Sequence, residues 1–212
     1  MAIEQSQTRQ DAVQSLRLKL IGACSTPQQM RVREIRNQTS VRAAMYTDHE
    51  IEVSEHLDWL KKITSDPKQI VFVVLDEEDP IGVVSFNDLD LLHKKADWAF
   101  YFDESRRGGL GKAIEYNVLE YAFNELGLEK LNCEVIEHNE AVVNLHKRFS
   151  FVNEGFRRDN IEKKSKRIGV HFLGLTKSDW LANRHEIFAR EKSTIQRFTI
   201  TIDRTTPFEY LL

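Results

Sequence analysis

Two hydrophobic rhythms divide the chain. Ile70–Leu75 (IVFVVL) is an unbroken apolar run, the pattern of a strand covered on both faces. Ile81–Phe86 (IGVVSF) follows across the acidic, proline-containing turn 76–80, and the pair predicts an antiparallel hairpin. Ala96–Phe102 (ADWAFYF) alternates, setting Trp98, Phe100 and Phe102 on one face. A helical rhythm begins at Leu110, where Leu110, Ile114, Val118, Ala122 and Leu126 recur every fourth residue before Gly127 stops the helix. Beyond it the pattern predicts a strand over 130–136, a helix over 139–149 and strands over 151–158 and 168–175. Ser178 is expected to cap a helix through Asp179, Trp180, Leu181 and Ile187, and Ile195–Ile202 (IQRFTITI) alternates as one more strand. Nearer the start, Leu18–Ile21 reads as a short strand. Thr26 reads as the N-cap of a helix with Pro27 in its first turn, running through Met30, Val32, Ile35 and Arg36. A second helical piece holds Ala43, Ala44 and Met45, and Ser54 opens a third helix to Ile63.

The ends and the most charged stretch are less patterned. Met1–Leu16 is rich in Gln and Ser and reads as a loose leader (1–16) without the apolar core of a signal peptide. The run Arg157–Arg167 is the most basic part of the chain. It reads either as a solvated loop between strands or as an anion-facing loop.

With 33 acidic against 30 basic residues the net charge is −3, which argues against a dedicated nucleic-acid binder. No apolar run is long enough to span a bilayer, so a cytoplasmic location and no membrane partner are expected. Cys24 and Cys133 sit in apolar surroundings without a CxxC spacing and read as buried reduced thiols. Nothing in the sequence calls for a metal.

Of the nine glycines, three fall at 108, 109 and 111, between a predicted strand and a predicted helix. There the first-turn N–H groups lack partners and the helix dipole favours anions. Arg106 and Lys112 add charge. A dinucleotide fingerprint fails because Ile114 stands where the third glycine belongs. A Walker loop fails because Arg106 replaces its first glycine and Ala113 follows Lys112. R-x-x-G-x-G remains, matched by Arg106, Gly109 and Gly111. By itself it is compatible with an ordinary glycine turn feeding a helix.

The order of strands, R-x-x-G-x-G, helix, strand, Asn139, helix and Phe151–Phe156 resembles the GNAT acyltransferase superfamily over Ile70–Leu175. The resemblance implies an α/β (α+β) fold, with a central, mixed, mostly antiparallel twisted sheet splayed between its fourth and fifth strands and flanked by helices. It also implies that acetyl-CoA is held by Arg106, Arg107, Gly108, Gly109, Leu110, Gly111 and Lys112. The strand Phe100, Tyr101, Phe102 and also Asn139 would lie along its pantetheine arm. The blocks Arg36-Asn37, Met45-Tyr46, Glu55-His56, Trp59 and Ile81–Ser85 are similar to the branch that acetylates the 4-amino group of a UDP-linked amino-deoxy sugar in pseudaminic acid synthesis. The domain is expected over 17–181. Residues 182–212, with a helix and a strand, form an extension that departs from the family pattern.

Acetyl transfer to an amine needs a neutral nucleophile, a donor for the oxyanion and a proton for the leaving thiolate. Under the resemblance the oxyanion donor is a backbone N–H near Phe100–Phe102. The acid position, usually tyrosine in N-x-x-A-x-x-x-Y, is His146, with Asn139 and Val142 in register. Imidazole titrates near neutrality and can serve as donor, although His146 also fits a helix-edge packing position; His138 is a weaker candidate. Glu134, opposite in facing to Cys133, is placed to take the amine proton through water, with Ser85 positioning that water. For the acceptor, Arg36 and His56 are assigned to the diphosphate, and Met45, Tyr46 and Trp59 to sugar or uracil. Asn87 and Tyr101 are expected to point into the cleft. The competing functions are a GNAT enzyme acting on a protein N-terminus or small amine, and an acyl-CoA-binding protein without turnover. The partner is expected to be a small molecule, and pairing as a homodimer is left open.

Overall fold

The strands are β1 (Gln14–Leu20), β2 (Ile70–Asp76), β3 (Asp79–Asp90), β4 (Lys95–Phe102), β5 (Lys130–Ile136), β6 (Val152–Lys163), β7 (Lys166–Thr176) and β8 (Phe198–Ile202). The computed structural model describes residues 13–106 and 108–203; among them these strands form one sheet in the order β6-β7-β5-β4-β3-β2-β1-β8. Neighbours are antiparallel except β4–β5 and β1–β8, so the sheet is mixed and mostly antiparallel as expected. Among the described residues six α-helices cover it: α1 (Thr26–Asn37), α2 (Thr39–Ala43), α3 (Val53–Ser65), α4 (Leu110–Glu120), α5 (Glu140–Arg148) and α6 (Lys177–Ile195). None of them is long and apolar enough to cross a membrane.

The six-residue apolar run of β2 is buried on both faces because helices cover both. Phe72 and Val74 join Phe86, Trp98 and the α4 side chains Leu110, Ile114 and Val118 on one side. Val71, Val73 and Leu75 meet Val32 of α1 and Leu60 and Ile63 of α3 on the other. A π turn over Tyr121–Glu125 continues α4, and Gly127 at φ +66° ends it.

Local chemistry corrects several boundaries. β1 begins at Gln14, inside the expected leader, because its backbone pairs with both β2 and β8; residues 1–12 lie outside the described residues. Ser25, not Thr26, caps α1: its hydroxyl accepts from Gln28 N at 3.4 Å while Gln28 Oε1 accepts from Ser25 N at 3.0 Å. Thr176, not Ser178, caps α6, accepting from Asp179 N at 3.1 Å. α6 runs unbroken across the 181/182 boundary, and β8 completes the sheet; residues 204–212 lie outside the described residues. The basic run Arg157–Arg167 is no loop. It is the distal part of a β6–β7 hairpin that turns at Lys164 (φ +50°) and Ser165 (φ +61°).

Candidate active site

The sheet opens where chemistry is expected. β4 and β5 pair only at Lys95–Lys130, Ala96–Leu131 and Asp97–Asn132. Beyond that point β4 stays with β3 as far as Phe102, and β5 stays with β7 as far as Ile136. A splayed groove therefore separates Trp98–Phe102 from Cys133–Ile136. A strand edge without a strand partner presents backbone donors and acceptors to whatever enters. The Gly108–Gly109 loop follows β4 through Asp103–Arg106 and opens α4. Gly108 and Gly109 take φ of +78° and +94°, a region L side chains avoid, which gives both glycines a physical reason.

Two of the three cations expected at this loop, Arg106 and Lys112, are engaged elsewhere. Arg106 turns back to Asp76 at 2.8 Å and Asp79 at 3.3 Å, because the acidic β2–β3 turn lies beside it. Lys112 meets Glu191 of α6 at 2.8 Å. Burial opposes ionisation of Glu191, yet hydrogen bonds from Lys112, Arg148 and Arg190 outweigh it and hold this carboxyl at about 2. Leu110 is core, and Gly111 packs within reach of Leu145, where a Cβ would come 3.3 Å from its Cδ2. Arg107 lies outside the described residues. Phe100 and Phe102 stack along the groove with ring centroids 5.3 Å apart. Asn139 caps α5 at the mouth of the groove, its carbonyl accepting from Val142 and Val143 N at 3.1 Å.

On the opposite face of the sheet the acceptor candidates divide into two groups. Tyr46, in the loop after α2, donates its hydroxyl to Glu134 Oε2. Burial and that carboxylate both push the Tyr46 hydroxyl above the usual phenol range, so it stays a donor. Asn37 fastens the same loop by bonding both the N–H (2.8 Å) and the C=O (3.0 Å) of Ile51. Arg36 donates to Thr47 Oγ1 at 2.8 Å, and its guanidinium lies close enough to Tyr101 for the two to interact electrostatically. Burial raises the Tyr101 hydroxyl. Asn87 donates to Ser85 Oγ at 3.1 Å, and Asn132 donates to Asp97 at 3.0 Å where the splay begins.

His56 and Trp59 do not join them. His56 is 3% exposed, bonds the Gln29 carbonyl of α1 at 2.8 Å and stacks on Trp59 at 5.3 Å. Both pack α3 against α1 and the sheet, so the structure does not bring His56, expected at the diphosphate, or Trp59, expected at the sugar or uracil, together with Tyr46 and Glu134. Met45 takes part through its backbone. Its carbonyl, with those of Arg42 and Ala43, accepts from Lys163 Nζ at 2.6, 2.9 and 2.9 Å. The hairpin thus ties down the loop that carries Tyr46.

His146 lies on the α4 side of the groove and is buried. Its ring meets Trp98, Phe100 and Phe151 at 5.3, 5.9 and 5.0 Å, and its Nδ1 is 2.8 Å from Glu115 Oε1 of α4. Glu115 is fully buried, and its Oε2 has no partner among the described residues. Burial raises this carboxyl, and the neighbouring His146 draws it back. The imidazole is thus enclosed rather than at the helix edge, held by the Glu115 side chain and three aromatic rings.

Two cavities flank the sheet. The larger, ≈ 1360 Å³, sits at the far end of the strands beside Ile21–Ala23, Pro67 and Asp88–Leu91, away from Tyr46 and Glu134. The smaller, ≈ 470 Å³, lies next to them, lined by Arg42, Lys163, Lys164, Lys166 and Arg167 together with Asp48, Glu137 and His138.

A family model described as acetyltransferase (GNAT) domain matches residues 29–171. The chain belongs to the GNAT acetyltransferase family. It is 28% identical over 116 residues to Acetyltransferase PseH of Campylobacter jejuni, covering 55% of this chain and 71% of that one. It is 23% identical over 126 residues to Spermidine N(1)-acetyltransferase of Vibrio cholerae, covering 58% and 73%. The crystal structure of spermidine N-acetyltransferase from Vibrio cholerae in complex with CoA and spermine superposes with a TM-score of 0.69. That match has 21% identity and covers 78% of this chain and 96% of that one, a likeness of fold. This GNAT protein is an acetyl-CoA-dependent N-acetyltransferase.

Three residues that shape the site carried no usable signal in the sequence. Lys163 sat in a charge run, and nothing in the pattern singled out Glu115 or Arg42. The partners of Lys163 and Glu115 are far away in the chain, and only the packed sheet brings them together.

Proposed function

We propose that this acetyltransferase moves the acetyl group of acetyl-CoA to the 4-amino group of a UDP-linked amino-deoxy sugar. One observation carries the reading. On the acceptor side Nη1 of Arg36 and Nε of Arg42 are buried with no hydrogen-bond partner among the described residues. Buried cationic donors left open favour an anionic ligand, and a diphosphate supplies matched acceptors. The adjoining cavity has five cationic side chains against two carboxylates, Asp48 and Glu137. Carboxylates offset part of this charge, through Lys164–Asp48 at 3.1 Å, Arg42–Glu50 at 3.6 Å and Arg167–Glu162 at 3.4 Å. A polycationic acceptor such as spermidine meets repulsion here. The likeness of Arg36-Asn37, Met45-Tyr46 and Ile81–Ser85 to the nucleotide-sugar branch supports the same acceptor.

In this reading Arg36 and Arg42 orient the diphosphate and Tyr46 braces the sugar. The neutral amine attacks the thioester carbonyl, and Glu134 takes its proton on the oxygen not bonded to Tyr46. A backbone N–H on the open edge of β4 stabilises the oxyanion. As the C–S bond breaks, its electron pair goes to sulfur and His146 supplies the proton, with Glu115 orienting the imidazole.

The test is a panel of acceptors: a UDP-linked 4-amino-4,6-dideoxy sugar, spermidine, free amino acids and N-terminal peptides. Each is mixed with acetyl-CoA and followed by free-thiol release. The UDP-sugar is expected to give the highest kcat/KM, with UDP competing and Arg36→Ala weakening that competition. A preference for spermidine or a peptide, with no inhibition by UDP, overturns the reading.

A further inference from the structure

The segment beyond the matched domain approaches the donor loop. Thr194, near the end of α6, fills the space beside Gly109: a Cβ built there would lie 2.3 Å from Thr194 Cγ2. Three residues on, Arg197 donates from Nη1 to the Gly108 carbonyl at 3.0 Å. The backbone at Arg197 is itself pinned. Its carbonyl accepts from Gln14 N at 2.9 Å, and the next residue, Phe198, opens β8 in parallel register with β1.

The charge balance at the loop makes Arg197 unusual. Arg106 is committed to Asp76 and Asp79, and Lys112 to Glu191. Among the described residues Arg197 forms no ion pair; its recorded partners are the Gly108 carbonyl and the face of the Phe198 ring at 5.9 Å. It is exposed, as is Gly108. A guanidinium has five N–H donors in a planar fork, so one bond to a carbonyl leaves most of them and the whole positive charge for a ligand. The loop beneath it opens α4, whose first-turn N–H groups point outward.

We infer that Arg197 is a binding residue for the acyl donor, contacting a phosphate of acetyl-CoA from the C-terminal segment, with α6 and β8 serving to hold it over the glycine loop. The inference rests on the donor occupying this loop. It assigns a binding task to a part of the chain that lies outside the matched domain, and it explains why α6 packs on Gly109 rather than leaving the loop open.

The test is isothermal titration of CoA and of dephospho-CoA into the full chain and into Arg197→Gln and Arg197→Lys, with thermal unfolding recorded for each. Glutamine keeps a donor for the Gly108 carbonyl but removes the charge; lysine keeps the charge. Arg197→Gln is expected to weaken CoA by about tenfold, the size of one charge-assisted contact, while Arg197→Lys stays within about threefold of the parent. A loss seen with CoA but not with dephospho-CoA assigns the contact to the 3′-phosphate, and an equal loss with both assigns it to the pyrophosphate. Unchanged affinity in Arg197→Gln overturns the inference, and so does an equal loss in Arg197→Lys. Gly111→Val, titrated alongside, tests the loop itself. If it too binds CoA like the parent, the donor lies elsewhere and the underlying reading fails; if it alone loses binding, only the role of Arg197 is lost.

Discussion

Replacing Lys163 with methionine removes an ammonium that three backbone carbonyls share, at 2.6–2.9 Å, while keeping most of the stem. The residue is 9% exposed, so water only partly replaces the lost donor. One hydrogen bond to a charged group contributes about 1.5–3 kcal/mol, and three that share one ammonium are not additive. A loss of about 3 kcal/mol follows, from a domain stability on the order of 5–15 kcal/mol. The variant therefore folds. For a chain of this length each kcal/mol moves Tm by roughly 2–4 °C, so calorimetry should show a fall of about 6–12 °C. The carbonyls released are those of Arg42, Ala43 and Met45, directly before Tyr46. Acceptor KM should rise by about tenfold, equivalent to about 1.4 kcal/mol, while the Kd of CoA at the distant glycine loop stays put. Steady-state rates at saturating acetyl-CoA, paired with titration of CoA, separate the two. An unchanged Tm refutes the energetic argument. A lowered Tm with acceptor KM and kcat unchanged refutes the claim that the hairpin positions Tyr46.

Gly109→Ala introduces a Cβ that meets Thr194 at 2.3 Å in a backbone at φ +94°, and calorimetry should show destabilisation of about 1–3 kcal/mol, part of it recovered by Thr194→Ser in the double variant. His146→Ala should lower kcat by about 10–100-fold, with His146→Tyr restoring much of the rate; stopped-flow thiol release reads both. Glu191, held at about 2 when folded against an ordinary value of 4.5, binds fewer protons folded than unfolded. Its contribution is therefore complete above about pH 4.5 and is lost as pH falls toward 2, and Tm measured across that window should fall less steeply in Glu191→Gln.

Periodicity and composition were enough to place most of the strands and the main helices, because those properties are local. The unbroken run in β2 required cover on both faces, and the fold provides it. The alternation of Trp98, Phe100 and Phe102 fixed which face of β4 meets α4. Clustered glycines marked a turn before a helix, and Gly108 and Gly109 make it at positive φ. Of the alternating Ile195–Ile202, Phe198–Ile202 is a strand while Ile195 ends α6, and the strand's parallel pairing with β1 was not legible. What the sequence could not show was where charges go. Arg106 and Lys112 stand beside the glycines in the chain, yet their long side chains reach carboxylates brought in by the β2–β3 turn and by α6. His56 shares a helix with Trp59, but only the crossing of α1 decides that its ring meets the Gln29 carbonyl rather than a ligand. The hairpin turn at Lys164-Ser165 lacks the Asn-Gly signal such positive-φ turns usually carry, so a strand pair read as a loop. Side-chain direction along one element is set by backbone geometry within a few residues. Ion pairing and hydrogen bonding depend on which distant element arrives alongside, as for Glu115 with His146, 31 residues apart, and Lys163 with Met45, 118 apart, and only the assembled sheet decides that.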